Sequence, residues 1–306
     1  MPFLSRHGSA WSLGTLLILA CLLTGCTGIS RSSVNTSTLA ALEQTHGGRL
    51  GVFALDTGTG RSLSWRADER FGMCSTFKLP LAAAVLRATA SGEIDGDAPI
   101  SFDHDDLVPH APVLEARLAA GEPAMSAIEL ARATHLTSDN AAANLLIQKL
   151  GGTDGVTARW RAMGDTVTRL DRLEPAMNRV THGDPRDSTT PQAMAHLVAR
   201  LLTTDLLTAV DRDRLAGWMM ETSTGQQRLR ATVPPDWRAG DKTGSAIMPG
   251  MPNKTHDVAV FWPPNRGPVV VAAYYEADDH HPGPIRPQDE AVLAEVGRIV
   301  VAWASR

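Results

Sequence analysis

The chain has 306 residues, of which 43% are hydrophobic and 20% are charged, and its formal net charge is −4. This composition predicts a globular protein with a sizeable core, and the sequence contains no low-complexity tract or internal repeat. Because no block of lysine and arginine stands out, the composition argues against a nucleic-acid partner, which would require a basic stripe.

The N-terminal residues 1–25 have the pattern of an export signal peptide. A basic start precedes an apolar stretch from Leu13 to Leu23, which is too short to span a membrane. The stretch ends in Leu-Thr-Gly directly before Cys26, as in bacterial lipoprotein signals. We therefore expect an exported, periplasmic protein that an acylated Cys26 anchors to the membrane, with a tether over residues 26–36. The alternative is ordinary cleavage that leaves a soluble periplasmic protein.

Strand signals are concentrated in residues 37–70 and 222–306. A helix over residues 38–46 ends at Gly47-Gly48, and a hairpin with a Gly-rich turn follows it. The hairpin strands are predicted at 49–55 and 61–65, later strands at 237–245, 257–262 and 269–276, and a final helix at 288–304. The two ends of the chain are thus expected to form one lobe, an antiparallel sheet with flanking helices.

Residues 71–221 are instead helical in period or propensity. Helices are predicted at 76–90, 124–135, 140–150, 155–163 and 191–203. The expected fold class is therefore α+β, with an all-α lobe inserted into the lobe built from both termini. Within this insert, residues 169–187 fit no period and contain two prolines. Long loops of this kind are usually functional or disordered, and a cleft between two lobes is a usual place for a small-molecule site.

The segment Cys74-Ser75-Thr76-Phe77-Lys78 places a hydroxyl and an amine on one side of a first helical turn. Serine is a poor nucleophile unless a neighbouring base takes its proton, and lysine can be that base when burial or nearby cations lower its pKa. The helix N-terminus would also offer backbone N–H groups to a developing oxyanion. On its own, however, this pattern more often marks a serine helix cap beside a solvated lysine.

A second candidate motif, Ser138-Asp139-Asn140, stands directly before a predicted helix. In a catalytic role, Ser138 can relay a proton to a departing amine and Asn140 can hold a substrate carbonyl group. In a structural role, the serine or the aspartate simply caps the helix. The motif alone does not decide between these two roles.

A third motif, Lys242-Thr243-Gly244-Ser245, lies on a predicted strand, where lysine is disfavoured. Its lysine and hydroxyl groups would bind a carboxylate, and Gly244 would allow another backbone to approach closely. The alternative is an ordinary turn at the end of a strand.

The three motifs Ser-x-x-Lys, Ser-Asp-Asn and Lys-Thr-Gly occur in the order that is the signature of class A β-lactamases and penicillin-binding proteins. The sequence resembles this family along nearly all of its mature length. The resemblance implies the same two-lobed fold and an enzyme that a β-lactam acylates at Ser75. It also implies that Ser138 protonates the leaving ring nitrogen and that Lys242 and Thr243 bind the substrate carboxylate. Backbone N–H groups of Ser75 and Ser245 would form the oxyanion hole.

Segment 172–178, with the sequence Arg-Leu-Glu-Pro-Ala-Met-Asn, separates the two branches of this family. It resembles the β-lactamase omega loop, here residues 169–187, which penicillin-binding proteins lack. The resemblance makes Glu174 the base that activates the hydrolytic water and Asn178 the amide that fixes this water. It also implies a cis bond between Glu174 and Pro175.

Three more residues take their expected roles from the resemblance. Arg172 and Asp187 match the ion pair that joins the ends of the omega loop, with an ordinary surface pair as the alternative. Arg228 falls where some family members place an arginine that binds the substrate carboxylate, and a surface arginine on a helix is the alternative. The base that deprotonates the nucleophile is left open between Lys78 and Glu174.

The sequence also departs from the family pattern. His110 sits where the family commonly has an aromatic wall, and the Pro/Met-rich segment 247–252 is longer than usual at the border of the cleft. Cys74 precedes the nucleophile as in carbapenem-hydrolysing members, but Ala246 stands where their partner cysteine would be. We therefore expect no disulfide at this position.

The resemblance implies a monomeric β-lactamase that needs a β-lactam and a water molecule but no metal or other cofactor. A metallo-β-lactamase would need a His-x-His-x-Asp cluster, which the 10 histidines do not contain. The remaining rivals are a penicillin-binding peptidase and a penicillin-sensing receptor domain, which are acylated in the same way but stay acylated. A lipoprotein with decayed catalysis would have lost one of the motif side chains, and all of them are present.

Overall fold

The computed structural model describes residues 31–306, so the predicted signal peptide and Cys26 lie outside the described residues. Five strands in this range form one antiparallel sheet in the order β2-β1-β9-β8-β7. The described strands are β1 (Arg49–Asp56), β2 (Ser62–Trp65), β3 (Phe71–Gly72), β4 (Pro99–Ser101), β5 (Ala124–Ser126), β6 (Ser188–Thr189), β7 (Arg238–Ala246), β8 (Lys254–Trp262) and β9 (Val269–Glu276). The Lys-Thr-Gly motif thus lies on β7, an outer strand of the sheet.

The helices of the described range cover both faces of this sheet and fill the middle of the chain. They are α1 (Arg31–His46), α2 (Lys78–Ala90), α3 (Pro112–Ala119), α4 (Ala127–Leu136), α5 (Asn140–Lys149), α6 (Gly152–Ala162), α7 (Pro191–Thr203), α8 (Ala209–Glu221) and α9 (Pro287–Ala304). The predicted α+β fold class is therefore confirmed. None of the described helices is long and apolar enough to cross a bilayer.

Helix α1 begins at Arg31, seven residues before the predicted start at residue 38. Most of the predicted tether over residues 26–36 is therefore helical. Its polar composition was a poor guide, because no proline or glycine interrupts the segment from Arg31 to His46 and polar residues are compatible with a helix. The helix ends where predicted, at Gly47, whose φ of +71° is a conformation that favours glycine.

The sheet is buried on both faces, which explains the continuous apolar sequences of its central strands. Along β9, Val270, Ala272 and Tyr274 pack into the core shared with the middle helices. The alternate residues Val271 and Ala273 pack into a second core with α1 and α9. This packing fixes the face that β7 and β8 present to the helical region and thereby positions the Lys-Thr-Gly motif.

Candidate active site

Ser75 lies in a short 3₁₀ turn, Cys74–Phe77, that leads directly into α2. Residue Gly244 of β7 packs against this turn, because a Cβ atom added to it would lie 2.9 Å from the Met73 carbonyl oxygen and 3.0 Å from the Thr76 nitrogen. The close backbone approach predicted for Gly244 is thus toward the segment that carries Ser75. As a result, strand β7 and the N-terminus of α2 lie side by side and form one wall of the candidate site.

Lys78 is fully buried, and oxygen atoms from three other parts of the chain surround its ammonium group. Its Nζ atom donates to the Ser138 carbonyl oxygen at 2.7 Å and to Asn140 Oδ1 at 2.5 Å. It also lies 3.4 Å from Glu174 Oε1. Burial lowers the pKa of Lys78, and the neighbouring Glu174 carboxylate opposes this shift.

Glu174 lies on the omega loop, and its carboxylate faces the hydroxyl of Ser75. Its Oε1 atom lies 3.5 Å from Ser75 Oγ, and its Oε2 atom accepts a hydrogen bond of 2.5 Å from Asn178 Nδ2. The Glu174–Pro175 bond is cis, as expected. The side chain of Asn178 also has an acceptor, Oδ1, that no donor in the described range satisfies.

A residue that the sequence analysis did not identify, Asn144, holds the Glu174 backbone. It lies on α5, where its Nδ2 donates to the Glu174 carbonyl oxygen at 3.0 Å and its Oδ1 accepts from the Glu174 N–H at 2.9 Å. The available signal was a polar side chain within an apolar segment, Ala-Ala-Ala-Asn-Leu-Leu, directly after the Ser-Asp-Asn motif.

The ion pair expected at the ends of the loop is present. Arg172 Nε donates to Asp187 Oδ2 at 2.5 Å, and Asp187 is fully buried. Asp187 Oδ1 accepts from the backbone N–H groups of Asp171 and Arg172 at 2.7 and 2.9 Å. Since the aspartate is buried and satisfied by several donors, the pair is more than an ordinary surface contact.

Ser138 and Lys242 meet between the loop and the sheet. The Ser138 hydroxyl oxygen accepts from Lys242 Nζ at 3.2 Å and from Lys78 Nζ at 3.3 Å. Burial, and then the charge of Lys78, lower the pKa of Lys242 to about 7. The helix cap is Asp139, whose Oδ1 accepts from the Ala142 N–H at 2.9 Å, so the Ser138 hydroxyl is not used for capping.

Arg228 lies beside β7 and is only 3% exposed. It donates to the His256 carbonyl oxygen at 2.8 Å and to Ser245 Oγ at 2.9 Å. It also forms a salt bridge of 3.0 Å with Glu290, a residue of α9 that the sequence analysis did not identify. Arg228 is thus a buried residue of the β7 wall rather than a surface arginine.

His110 lies on the side of the site opposite to β7, and its φ is positive at +68°. Its Nε2 is 2.9 Å from the Thr137 carbonyl oxygen. The two sides enclose a cavity of about 540 Å³. The predicted site residues that line it are Ser75, His110, Ser138, Asn140, Glu174, Asn178, Arg228, Thr243 and Ser245. Lys78 and Lys242 are buried and contact residues that line this cavity, whereas Arg172 and Asp187 lie at the ends of the loop.

The arrangement supplies a hydroxyl, a carboxylate and two ammonium groups around one small-molecule cavity. Within residues 31–306, no group of three or more His, Cys, Asp or Glu side chains is arranged to hold a metal ion. Cys74 is buried as a free thiol. The geometry therefore offers nucleophilic and acid–base chemistry at a site that also has cations for an anionic substrate group.

Comparisons with known proteins agree with this chemistry. A model described as the beta-lactamase enzyme family matches residues 35–304. The carbapenem-hydrolyzing β-lactamase KPC of Klebsiella oxytoca is 41% identical over 292 residues, which are 94% of this chain and 95% of that protein. The β-lactamase L2 of Stenotrophomonas maltophilia is 43% identical over 303 residues, 97% of this chain and 96% of that protein.

Solved structures give the same result. An ancestral class A β-lactamase (GNCA) superposes with a TM-score of 0.81 at 47% identity and covers 88% of this chain and 99% of its own. A β-lactamase from Burkholderia vietnamiensis superposes with a TM-score of 0.82 at 45% identity and covers 89% and 97%, respectively.

Proposed function

Because the chain belongs to the beta-lactamase enzyme family and is a class A serine β-lactamase, we propose that Ser75 forms the acyl-enzyme and that Glu174 activates the water that hydrolyses it. The observation that carries this proposal is the position of Glu174 Oε1, which lies 3.5 Å from Ser75 Oγ and 3.4 Å from Lys78 Nζ. One carboxylate oxygen is thus within reach of both the nucleophile and a second candidate base.

Substrate binding in this proposal uses the cations along β7. The carboxylate of the β-lactam binds Lys242, Thr243 and Arg228, which places the strained amide over Ser75. Asn140 holds a substrate carbonyl group, and His110 packs on the substrate from the side opposite to β7. Buried cations attract an anionic group more strongly than solvated ones, because less water screens the interaction.

In acylation, the Ser75 oxygen forms a bond with the lactam carbonyl carbon and the ring C–N bond breaks. Backbone N–H groups of Ser75 and Ser245 stabilise the oxyanion. Either Lys78 or Glu174, through a water molecule, takes the Ser75 proton, and Ser138 delivers a proton to the departing nitrogen. The two lysine contacts at Ser138 Oγ support this relay, since they connect it to both sides of the cleft.

In deacylation, Glu174 takes a proton from water while the water oxygen bonds to the acyl carbon and the bond to Ser75 breaks. The proton returns to Ser75, so the enzyme is regenerated. Asn178 supports this step because its amide contacts Glu174 and its Oδ1 has no donor in the described range. A penicillin-binding peptidase or sensor would lack this half of the reaction. All of the proposed side chains belong to one chain, so the proposed reaction needs no residue from a second subunit.

The test is to follow a chromogenic cephalosporin beyond one equivalent of product and to compare the Glu174→Ala variant. We expect the parent to turn over and the variant to slow by about 10²- to 10⁴-fold, with an acyl adduct on Ser75 visible by intact mass. A Ser75→Ala control should carry no adduct. A burst followed by a plateau in the parent contradicts hydrolysis, and fast turnover of Glu174→Ala without an adduct contradicts the role of Glu174.

We also propose that acylated Cys26 anchors the exported enzyme to a membrane on the periplasmic side. The sequence Leu-Thr-Gly-Cys at the end of an apolar stretch supports this proposal. Buried acyl chains contribute about 0.8 kcal/mol for each methylene, so two or three chains hold a protein firmly. Changing Cys26 to Ser should move the enzyme from the membrane fraction to the soluble fraction, and an unchanged distribution contradicts the anchor.

A further inference from the structure

Lys254 is a buried lysine that the proposed reaction does not use. It is the first residue of β8 and is only 2% exposed. Its Nζ atom donates to the Val180 carbonyl oxygen at 2.6 Å and to the Asn178 carbonyl oxygen at 3.3 Å. Both acceptors belong to the backbone of the omega loop, residues 169–187. The ammonium group therefore joins the main sheet to this loop.

The residues around Lys254 leave space for its contact with the omega loop and offer its ammonium group no carboxylate partner. A Cβ atom added to Gly72 of β3 would lie 3.2 Å from Lys254 Nζ and 2.9 Å from Val180 Cβ, so the absence of a side chain there accommodates both groups. Glu276 lies opposite Lys254 across β8 and β9, but its carboxylate pairs with Arg49 at 2.8 Å. No carboxylate in the described range lies within 4.0 Å of Lys254 Nζ.

The residue before Lys254 fixes the end of the long hairpin between β7 and β8. Asn253 Nδ2 donates to the His281 carbonyl oxygen at 2.9 Å, and its Oδ1 accepts from the His281 N–H at 3.1 Å. The Asn253 backbone forms further hydrogen bonds with Asp279 and Ala277 at 3.1 and 2.9 Å. The segment that carries Lys254 is therefore held independently of the omega loop.

The contacts continue from Lys254 to the reacting carboxylate. Lys254 contacts the Asn178 carbonyl oxygen, and the Asn178 side chain donates to Glu174 Oε2 at 2.5 Å. Asn144 holds the backbone of Glu174 from α5, but the described contacts of Asn144 do not reach Asn178. The Asn178 amide also donates to the Pro175 carbonyl oxygen at 3.2 Å, and the backbone at 178–180 that carries this amide is held by Lys254.

We propose that Lys254 is a positioning residue for deacylation, because it holds the backbone at 178–180 and thereby orients Asn178 toward Glu174 and the hydrolytic water. This inference rests on the proposed role of Glu174. The register of β8, in which Lys254 lies opposite Ala246 of β7 and Glu276 of β9, places its ammonium group against the omega loop. With Lys78 as the base that takes the Ser75 proton, acylation uses groups on other elements and depends much less on this contact.

The test compares Lys254→Met, which keeps the apolar stem and removes the ammonium group, with the parent enzyme. We expect the deacylation rate to fall by about 10- to 100-fold, as for a displaced catalytic group, while the acylation rate changes by less than about twofold. Stopped-flow acylation and quenched intact-mass spectra during turnover measure the two rates. Hydrogen exchange at residues 176–181 should accelerate in the variant.

Two controls make the result decisive. Lys149→Met removes an exposed lysine at the end of α5 and should leave both rates unchanged. Glu174→Ala should accumulate the acyl-enzyme; if it does not, the proposed function fails independently of Lys254. If Glu174→Ala accumulates and Lys254→Met deacylates within twofold of the parent, the inference is wrong. A parallel loss of the acylation and deacylation rates in Lys254→Met also overturns the inference. If Lys254→Met does not fold, Lys254→Gln is measured in its place.

Discussion

Two buried ammonium groups share the hydroxyl of Ser138, and this proximity has an electrostatic cost. Lys78 and Lys242 lie 3.3 and 3.2 Å from Ser138 Oγ. Like charges in a buried site favour loss of a proton from one of them. Burial lowers the pKa of both lysines; the charge of Lys78 lowers the pKa of Lys242 further, whereas the Glu174 carboxylate opposes the shift at Lys78. A protonated Lys242 suits the binding of a substrate carboxylate.

The affinity for substrate should therefore depend on pH near neutrality. The pKa of Lys242 is about 7, so this side chain loses its positive charge as the pH rises above 7. We expect KM for a penicillin to rise by at most about tenfold per pH unit above that value, with a smaller change in kcat. Arg228 also binds the substrate carboxylate in the proposed function and limits the increase. Steady-state kinetics between pH 5.5 and 9 measure the effect.

The matched variant for this measurement is Lys242→Arg. A guanidinium group does not lose its proton in this range, so its KM should be nearly independent of pH, whatever its absolute value. A parent KM that stays constant from pH 6 to 9 contradicts the role given to the Lys242 charge.

The chemical motifs were recognisable in the sequence at the residue scale, but the residues that support them were not. Ser75, Lys78, Ser138 and Lys242 occur in short motifs whose order is informative. Asn144 and Glu290 occur in helices without a motif, and only the folded contacts give them partners at Glu174 and Arg228. A single polar residue in a helix is more often solvated, so its sequence context was insufficient.

At the scale of elements, one part of the omega loop's attachment was predictable from the sequence and another part was not. Its ends were predictable, because the resemblance to the β-lactamase omega loop paired Arg172 with Asp187. The attachment through Lys254 was not, because strand β8 begins three residues before the predicted start at 257. Those three residues are polar or charged, and only their pairing with β7 and β9 makes them part of the sheet. Strand boundaries set by such pairing are not encoded locally.

The number of helices was also underestimated. Helices α3 and α8 were not predicted, although each has recognisable start signals in hindsight. Pro112 stands in the first turn of α3, and Thr208 caps α8 through a hydrogen bond from the Asp211 N–H. Their hydrophobic periodicity is weak because polar and small residues occupy much of each helix. Start signals without periodicity did not suffice for a prediction.

On the scale of the whole molecule, the two cores on either side of the sheet account for the overall architecture. The strand patterns at both ends of the chain predicted the sheet, since apolar strands need partners on both faces. The cores also enclose polar groups that no sequence pattern indicated. His135 on α4 is fully buried, beside Lys242 and the backbone of Asp241.

His135 should make the folded state sensitive to acid. Burial, and then the charge of Lys242, lower the pKa of His135 to about 3. The unfolded chain takes up this proton near pH 6.5, so the free energy of unfolding falls as the pH drops from 6.5 toward 3. The loss is about 1.4 kcal/mol per pH unit, or about 2 kcal/mol at pH 5. His135→Leu should remove this contribution.

Urea unfolding at pH 7 and pH 5 measures the difference. The decrease in unfolding free energy between these pH values should be smaller in His135→Leu than in the parent by about 2 kcal/mol. His104→Gln, at an exposed position, should retain the decrease of the parent. Equal decreases in His135→Leu and the parent would mean that His135 is not the acid-sensitive group.

The buried thiol of Cys74 next to the nucleophile has a further consequence. It is the one cysteine in residues 31–306, and burial raises its pKa to about 12. In the folded enzyme this sulfur is therefore neither accessible nor ionised, so alkylating reagents and oxidants do not attack it. A covalent modification at Cys74 accordingly shows that the molecule opened at least once in the presence of the reagent, so labelling of this thiol reports the opening of the enzyme next to its nucleophile.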